Sequence, residues 1–320
     1  MVDAVDVAGT PVGQQLVLPP CWLCWLCWLC RHRSLLLRGC FQVELGAELV
    51  GVDGARFEPF ACSASCGRGE AGNTAQFYGY GFVNGVIHDA LRAKDDIMVV
   101  TKIGADPDPD GPMPMRSAQR PQELRASVEE NLRTLGLEQI PVVNLRRMDT
   151  AHTVPGGPEQ TVNIDDQLAE MTAMRDEGLI GGIGLSSTTL DILRQALPAG
   201  IACVQNAYSL VNRSDEPMAE LCATESIAWV PYFPLGSAFP GLPKVTSEPE
   251  VQAIATTLGF TPSQIGLAWL LQHSSNTLLI PGTASVDHLE ANLAIGDIHL
   301  DATMIAQLDR IPTRTPEHHS

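Results

Sequence analysis

The sequence is poor in basic residues and has no long apolar run. With 20 Lys and Arg residues against 37 Asp and Glu residues, its net charge of −17 argues against binding to nucleic-acid phosphates or anionic membranes. No uninterrupted apolar run reaches the roughly 18 residues that a membrane helix needs. Asp3 and Asp6 stand where a secretory signal has basic residues. These absences predict a cytoplasmic protein that binds a small molecule, with no nucleic acid and no membrane as partner.

Cysteine is scarce after residue 70 and crowded before it. Only Cys203 and Cys222 lie in the later part, both in apolar contexts that indicate buried thiols of a reduced protein. The repeated Trp-Leu-Cys at residues 21–30 has a superficial likeness to an iron–sulfur or zinc ligand string. Tandem repetition alone explains that spacing, so we predict no metal. We interpret residues 1–72 as a low-complexity, Cys-rich segment, either disordered or misassigned through a shifted reading frame or wrong start.

From residue 73 onward, short apolar runs alternate with amphipathic stretches. Strands are predicted at residues 97–101, 141–145, 182–185, 202–206, 228–232 and 277–280. Helices are predicted at residues 82–93, 121–135, 164–176, 189–196, 218–225, 248–258, 261–272 and 286–294. Before residue 73, alternation predicts one strand at residues 41–45, and residues 55–72 show no periodicity. Repeated strand–helix units indicate an α/β protein with a parallel sheet.

The sheet is predicted to close into a barrel. An open dinucleotide-binding sheet carries Gly-x-Gly-x-x-Gly between its first strand and a helix, but the nearest match, residues 178–184, enters a strand. A barrel of roughly 250 residues fits the chain length. We therefore predict a (β/α)8 TIM barrel over residues 73–320. Its first βα unit is predicted to be atypical or incomplete, because only residues 41–50 offer an earlier strand and no helix pattern follows them.

Tyr78 and Lys102 follow or end successive predicted strands. In a TIM barrel, chemistry occurs where strands run into the following loops, so the two side chains are predicted to lie close together. A cation beside a phenol favours its ionised form, which suits Tyr78 to proton transfer. Taken singly, Tyr78 is more simply an aromatic side chain that caps the barrel mouth, and Lys102 a solvated cation at a strand end. Their spacing as a pair among matching motifs favours the catalytic interpretation.

Several ordered motifs resemble the aldo-keto reductase family. They are Asn73-Thr-Ala-x-x-Tyr78-Gly, Val100-Thr-Lys102, Leu124-x3-Val128-Glu-x2-Leu132-x2-Leu135-Gly136, Asn144-Leu-Arg-Arg-Met-Asp149, Ile183-Gly-Leu-Ser186, Val204-Gln-Asn-x-Tyr208-Ser-Leu-x-Asn-Arg213, Tyr232-x-Pro-Leu-Gly236 and Ile280-Pro-Gly-Thr-x4-His-Leu-x2-Asn292. The resemblance covers about residues 73–311 and leaves residues 1–72 unmatched. It implies an (α/β)8 barrel that reduces carbonyl compounds, or oxidises alcohols, with a nicotinamide cofactor that is usually NADPH.

The resemblance implies roles for four catalytic residues. Tyr78 matches the general acid and Lys102 its cationic helper. Asn73 stands where most members have Asp; it can hydrogen-bond to Lys102 but brings no negative charge. Arg146 stands where most have His. Its guanidinium cannot act as a neutral imidazole, yet it can polarise a carbonyl oxygen.

The resemblance also implies a cofactor site. Ser186 and Gln205 match residues that hold the nicotinamide carboxamide, with Ser187 where Asn is commoner, and Tyr232 matches the ring that stacks on nicotinamide. The loop along the pyrophosphate is matched by Pro234, Leu235 and Gly236. The adenosine end is matched by Gly282, Thr283, His288 and Asn292. Lys and Arg are common in the family at the Gly282 and His288 positions, where they grip a 2′-phosphate. NADPH is therefore the expected cofactor, with NADH as an alternative.

Two functions are compatible with the sequence. The first is an NAD(P)H-dependent reductase of aldehydes and ketones. The second is a catalytically impaired relative that binds nicotinamide nucleotide as a sensor or interaction module, which Asn73 and the missing first unit favour. The intact Tyr78, Lys102, Gln205 and Tyr232 favour the enzyme.

Overall fold

The structure, a computed structural model, describes residues 41–45, 48–55, 68–91, 97–111, 115–147, 156–236, 243–283 and 285–314. The repeat at residues 21–30 lies outside them. Within these ranges, no helix is both long and apolar enough to cross a membrane. The same ranges contain no group of three or more His, Cys, Asp or Glu side chains able to hold a metal ion.

One sheet forms the centre of the described fold. The strands are β1 (Phe41–Leu45), β2 (Glu48–Ala55), β3 (Arg68–Asn73), β4 (Ile97–Ile103), β5 (Ala105–Pro107), β6 (Met115–Ser117), β7 (Ile140–Arg146), β8 (Ile180–Ser186), β9 (Ile201–Gln205) and β10 (Ala228–Trp229). β5 and β6 form a separate antiparallel pair. The others form one sheet in the order β1-β2-β3-β4-β7-β8-β9-β10, in which every neighbouring pair from β3 to β10 is parallel.

The start of the sheet is atypical, as predicted. β1 confirms the strand predicted at residues 41–45, but β1, β2 and β3 pair antiparallel, without a helix among the described residues between them. Residues 55–72 show no periodicity in the sequence, yet the structure forms a strand from Arg68 onward, which was not predicted. β3 lacks apolar alternation, and its place comes from backbone pairing with β4 from Glu70↔Ile97 to Asn73↔Val100. The predicted boundary between residues 72 and 73 falls inside this strand.

Helices follow the parallel strands. They are α1 (Phe82–Leu91), α2 (Pro121–Leu135), α3 (Ile164–Asp176), α4 (Leu190–Ala196), α5 (Glu216–Thr224), α6 (Pro249–Leu258), α7 (Pro262–His273), α8 (Val286–Leu293) and α9 (Ala302–Asp309). The predicted bounds of α2 and α3 are confirmed, and only α9 was not predicted. At α7, Thr261 and Gln264 form a reciprocal capping box, with Pro262 at the first helical position. The capping residues therefore determine where this helix begins.

The prediction of a strand at residues 277–280 is wrong, because these residues do not form a regular strand. The structure has only an isolated parallel bridge between Trp229 and Thr277, because β10 is two residues long and offers little backbone to pair with. The sheet nevertheless curls. One buried apolar cluster joins Val100 of β4 to Cys203 of β9 and to Ile280 beyond β10. These opposite parts of the sheet share one interior, as in a barrel.

Candidate active site

The parallel register brings the ends of four strands to one edge of the sheet. Lys102 lies opposite Asn144, Arg146 opposite Ser186, and Ser186 opposite Gln205. In parallel α/β sheets the carboxyl ends of the strands carry the binding site. Lys102, Arg146, Ser186 and Gln205 therefore lie at one rim, as their positions in the sequence predict.

Asn73, Tyr78 and Lys102 form a buried cluster at this rim. β3 ends at Asn73, and Tyr78 begins a short 3₁₀ helix, Tyr78–Gly81. The Lys102 Nζ donates to Asn73 Oδ1 at 2.9 Å and to the Thr74 carbonyl oxygen at 3.2 Å. It lies 5.2 Å from the centre of the Tyr78 ring. All three predicted residues are at most 9% exposed, so water screens the charge of the amine weakly.

Arg146 and Tyr78 both contact the Phe77 ring. The Arg146 guanidinium carbon is 5.3 Å from the centre of the Phe77 ring, which packs edge-on against Tyr78 with 5.0 Å between ring centres. Its Nη1 lies 3.1 Å from the thioether sulfur of Met115 in β6. Arg146 is partly exposed. The structure thus brings all four predicted catalytic residues to one site.

Ser187, Gln205 and Tyr232 meet beside this cluster. The Ser187 hydroxyl and the Tyr232 phenol are 3.2 Å apart, and the Ser187 N–H donates to the Gln205 carbonyl oxygen at 3.0 Å. Ser187 has a φ of 53°, a strained value for serine. Burial raises the pKa of the Tyr232 phenol, and its bond with Ser187 and the charge of Arg146 oppose that rise. Ser186 lies at the same rim and is 2% exposed.

The amide oxygen of Gln205 is a buried acceptor without a hydrogen-bond partner in the described part of the chain. The residue is only 1% exposed. A buried polar atom left unpaired costs free energy, of order 1–3 kcal/mol, and calls for a reason. A nicotinamide carboxamide carries an N–H₂ donor that this oxygen can accept, so the residues present fit the cofactor that the resemblance implies.

Pro234, Leu235 and Gly236 form a tight turn after Tyr232. The Gly236 N–H donates to the Phe233 carbonyl oxygen at 2.9 Å, and Gly236 has a φ of 87°. A Cβ at Gly236 would lie 2.2 Å from the Pro243 carbonyl oxygen, so only glycine fits here. A Cβ on Gly266 of α7 would lie 2.9 Å from the Leu235 side chain. Gly266, which the sequence reasoning missed, lets α7 pack against this turn.

Gly282 and Thr283 precede α8, His288 lies in its first turn and Asn292 in its last. Thr283 Oγ1 accepts from the Ser285 N–H at 3.1 Å, and the Ser285 side chain caps α8 by accepting from the His288 N–H at 3.4 Å. Gly282 and His288 are exposed. Within the described residues, these side chains form no hydrogen bond or ion pair with the cluster at Tyr78 or with Ser187, Gln205 or Tyr232.

A buried polar network behind Arg146 was not predicted. Gln119 Nε2 donates to the carbonyl oxygens of Gly104 at 2.6 Å and Arg146 at 2.9 Å. Gln167 of α3 donates to Gln119 Oε1 at 2.9 Å and accepts from Arg147. A signal existed: Gln167 is fully buried on the same side of α3 as Ile164, Leu168 and Met171. A polar residue on an apolar helix face indicates a buried partner.

Cys203 is buried in the barrel at the same register level as Lys102, Asn144 and Gly184. Its thiol donates to Asn144 Oδ1 at 3.1 Å, and a Cβ on Gly184 would lie 2.1 Å from that oxygen. Burial raises the pKa of the Cys203 thiol to about 12, against the opposing effects of the Lys102 charge and the Asn144 hydrogen bond. The thiol therefore stays protonated at neutral pH and has no role as a nucleophile.

Comparison with known proteins identifies the class. The model of the aldo/keto reductase family matches residues 69–312, so the chain belongs to this family. The pyridoxine 4-dehydrogenase of Escherichia coli (strain K12) is 42% identical over 242 residues, 75% of this chain and 80% of that protein. An uncharacterized oxidoreductase of Schizosaccharomyces pombe is 35% identical over 240 residues, 74% of this chain and 72% of that protein.

Solved structures agree with this assignment. A thermostable aldo-keto reductase in complex with the inhibitor epalrestat has a TM-score of 0.62 and 26% identity, covering 75% of this chain and 81% of its own. An aldo-keto reductase from Klebsiella pneumoniae in complex with NADPH has a TM-score of 0.61 and 24% identity. The match covers 76% of this chain and 81% of that one. The fold is therefore a TIM barrel, and the chain is an NAD(P)-dependent oxidoreductase that interconverts carbonyl compounds and alcohols.

Proposed function

We propose that this enzyme reduces aldehydes or ketones with NADPH and that Tyr78 donates the proton. One observation carries the proposal: the Lys102 amine, bonded to Asn73, lies 5.2 Å from the centre of the Tyr78 ring in a buried cluster. A buried positive charge favours the phenolate over the phenol. Tyr78 can then release its proton to an oxygen that gains negative charge during the reaction.

Residues around Gln205 are proposed to hold the cofactor. Gln205 Oε1 would accept a hydrogen bond from the carboxamide N–H₂ group, and the Ser186 hydroxyl would donate one to the carboxamide oxygen. Tyr232 would stack on the nicotinamide ring. The Pro234–Leu235–Gly236 turn would lie along the pyrophosphate. When bound, the reduced nicotinamide supplies a hydride to the carbonyl carbon. The chain's own groups act on the carbonyl oxygen: Tyr78 donates a proton to it, and the Arg146 guanidinium stabilises its developing charge.

NADPH is proposed over NADH, with Gly282, Thr283, His288 and Asn292 around the adenosine phosphate. The NADPH complex of the Klebsiella pneumoniae relative supports this choice. The name of the Escherichia coli relative makes pyridoxine the first alcohol to assay. We also propose that the enzyme acts in the cytoplasm as a reduced protein, which the buried free thiols of Cys203 and Cys222 support.

The test is a fluorescence titration with NADPH and NADH, followed by turnover of a simple aldehyde, for the native chain and for Asn73→Asp. Binding with turnover in both forms is expected, because Asn73 Oδ1 already positions the Lys102 amine. Binding without turnover, restored by Asp, would locate a defect at Asn73 and favour a nucleotide-binding module. No binding by either form would contradict the proposal.

A further inference from the structure

Arg146 has no carboxylate partner among the described residues, unlike several other arginines of this acidic protein. Arg116, Arg120 and Arg133 lie 3.1, 2.5 and 2.6 Å from the carboxylates of Asp106, Glu123 and Glu130, in that order. Across the described ranges, no carboxylate lies within 4.0 Å of Arg146. Arg175 and Arg213 also lack a carboxylate, but their guanidinium groups donate to backbone carbonyl oxygens. Among the described residues, the Arg146 guanidinium donates only to a sulfur atom.

The contacts that Arg146 does make leave most of its donors unused. They are the face of the Phe77 ring at 5.3 Å and the Met115 sulfur at 3.1 Å. A guanidinium has five N–H donors in a planar fork, whereas a thioether is a weak acceptor and a ring face uses none of them strongly. Partial burial removes part of the water that would otherwise satisfy the fork. An anionic oxygen is the group that would complete it.

The position of Arg146 points to the substrate as the source of that oxygen. Its guanidinium and the ring of the proton donor Tyr78 both contact Phe77, at 5.3 and 5.0 Å from the centre of that ring. Its positive charge also opposes the rise in the pKa of the Tyr232 phenol. It is partly exposed, unlike the buried Lys102. Arg146 therefore lies near both the proton donor and the ring proposed to stack on nicotinamide, where a carbonyl group would be held.

We infer that Arg146 makes the enzyme selective for carbonyl compounds with an anionic oxygen, carboxylate or phenolate, on the adjacent or next-adjacent carbon. The fork of a guanidinium binds two oxygens side by side. In such compounds the carbonyl oxygen and the anionic oxygen lie side by side, so one fork can bind both. This inference rests on the proposed function and adds the substrate class to it.

The test compares matched substrates at saturating NADPH. The carboxylate pair is phenylglyoxylate and its neutral methyl ester, and the phenolate pair is 2-hydroxybenzaldehyde and 4-hydroxybenzaldehyde above their phenol pKa values. The measured quantity is the ratio of kcat/KM within each pair, since any general effect on the carbonyl cancels. Arg146→Met is expected to lower this ratio about 100-fold, chiefly through KM, in at least one pair. The pair that responds identifies the anion.

Two further variants separate specificity from structure. Arg116→Met, which removes a neighbouring exposed arginine paired with Asp106, is expected to leave both ratios unchanged. Arg146→Lys keeps the charge but not the fork, so we expect a ratio between the native and Arg146→Met values. If Arg146→Met does not fold, the Arg146→Lys variant replaces it in the comparison of the two ratios. Unchanged ratios in folded Arg146 variants would overturn the inference, as would a loss of NADPH affinity with the ratios intact.

A binding measurement distinguishes this inference from the proposed function. Benzoate and benzamide are titrated into the native enzyme with NADP bound, and intrinsic fluorescence reports binding. A preference for benzoate that Arg146→Met abolishes supports the anion site even if no aldehyde is reduced, in which case only the proposed function fails. Turnover of benzaldehyde without a benzoate preference, and with both kcat/KM ratios unchanged by Arg146→Met, leaves the proposed function standing and removes the inference.

Discussion

The two ends of the proposed cofactor site are built differently. At the nicotinamide end, Gln205 is buried and Tyr232 is held by Ser187 and flanked by the charge of Arg146. At the adenosine end, Gly282 and His288 are exposed, and the contacts stay within the loop that starts α8. The end where bonds change is preorganised, because small displacements there cost rate. The distant end contributes affinity, which tolerates looser construction.

The largest effect is expected at Tyr78, on the preorganised side. Tyr78→Phe removes the hydroxyl while keeping the ring contacts with Lys102 and Phe77. Loss of a general acid lowers rates by about 10²–10⁴-fold, so we expect kcat to fall about 10³-fold with NADPH affinity within about twofold of the native value. Steady-state kinetics and fluorescence titration measure both quantities.

The matched control is Tyr208→Phe. This phenol is also buried, but it donates to Glu216 at 2.5 Å, and its ring packs against Trp229 and Trp269 instead of Lys102 or Phe77. Losing that hydrogen bond is expected to lower the free energy of unfolding by roughly 1–3 kcal/mol, since the bond is to a charged group. At a temperature where the variant is folded, kcat should stay near the native value. A Tyr78→Phe enzyme that retains most of its kcat would remove Tyr78 as the proton donor.

The parts of the fold that the sequence predicted are those with a strong local signal. α2 and α3 have amphipathic patterns and end residues that leave little choice of bounds. β3 lacks such a signal because its Arg-Gly-Glu-Ala-Gly-Asn sequence enters the sheet through backbone pairing alone. Residues 277–280 have the apolar signal of a strand, but their partner β10 is too short to pair with more than Thr277.

The site was predicted by position and motif, whereas its internal contacts were not. Ordered motifs located Tyr78 and Lys102, and the parallel register then brought the strand ends together. The bond between Ser187 and Tyr232 joins residues 45 positions apart and depends on the unusual φ of Ser187. No spacing rule contains that information. The support of Arg146 by Gln119 likewise comes from a loop, where local sequence restricts geometry least.

A second prediction concerns the unpaired oxygen of Gln205. Gln205→Met replaces the amide with a thioether of similar shape and so removes a buried acceptor that has no partner among the described residues. We expect the unliganded protein to be as stable as the native one, or up to about 1 kcal/mol more stable. Without the acceptor for the carboxamide, Kd for NADPH should rise about tenfold. Thermal unfolding with and without NADPH measures both changes.

Gln272→Met provides the comparison for this prediction. The Gln272 side chain donates to the Ile298 carbonyl oxygen and accepts from the Leu300 N–H, both at 3.2 Å. Its loss should lower stability and leave NADPH binding unchanged, the reverse of the Gln205 result. A Gln205→Met protein that is destabilised by more than about 2 kcal/mol would mean that the amide serves the fold and not the cofactor.

The smallest effect is expected at the exposed adenosine end. His288 lies in the first turn of α8, where backbone N–H groups attract a phosphate but the neighbouring Asp287 repels one. His288→Arg adds a permanent positive charge there. NADPH differs from NADH by its 2′-phosphate, so the Kd for NADPH should fall about fivefold while that for NADH stays unchanged. Titrations at low and high salt should show the gain shrinking as salt screens the exposed charge.

His299→Arg decides whether that gain is local. His299 is also exposed and receives the same charge, so it reports the effect of making a protein with net charge −17 less acidic. An equal gain in NADPH affinity from both variants would assign it to this general attraction. An equal gain for NADPH and NADH at His288 would assign it to the shared pyrophosphate. A gain in NADPH affinity that requires both the His288 position and the 2′-phosphate places the adenosine there. Such a gain would also show that binding at the adenosine end can be strengthened without changing the nicotinamide end, where the reaction occurs.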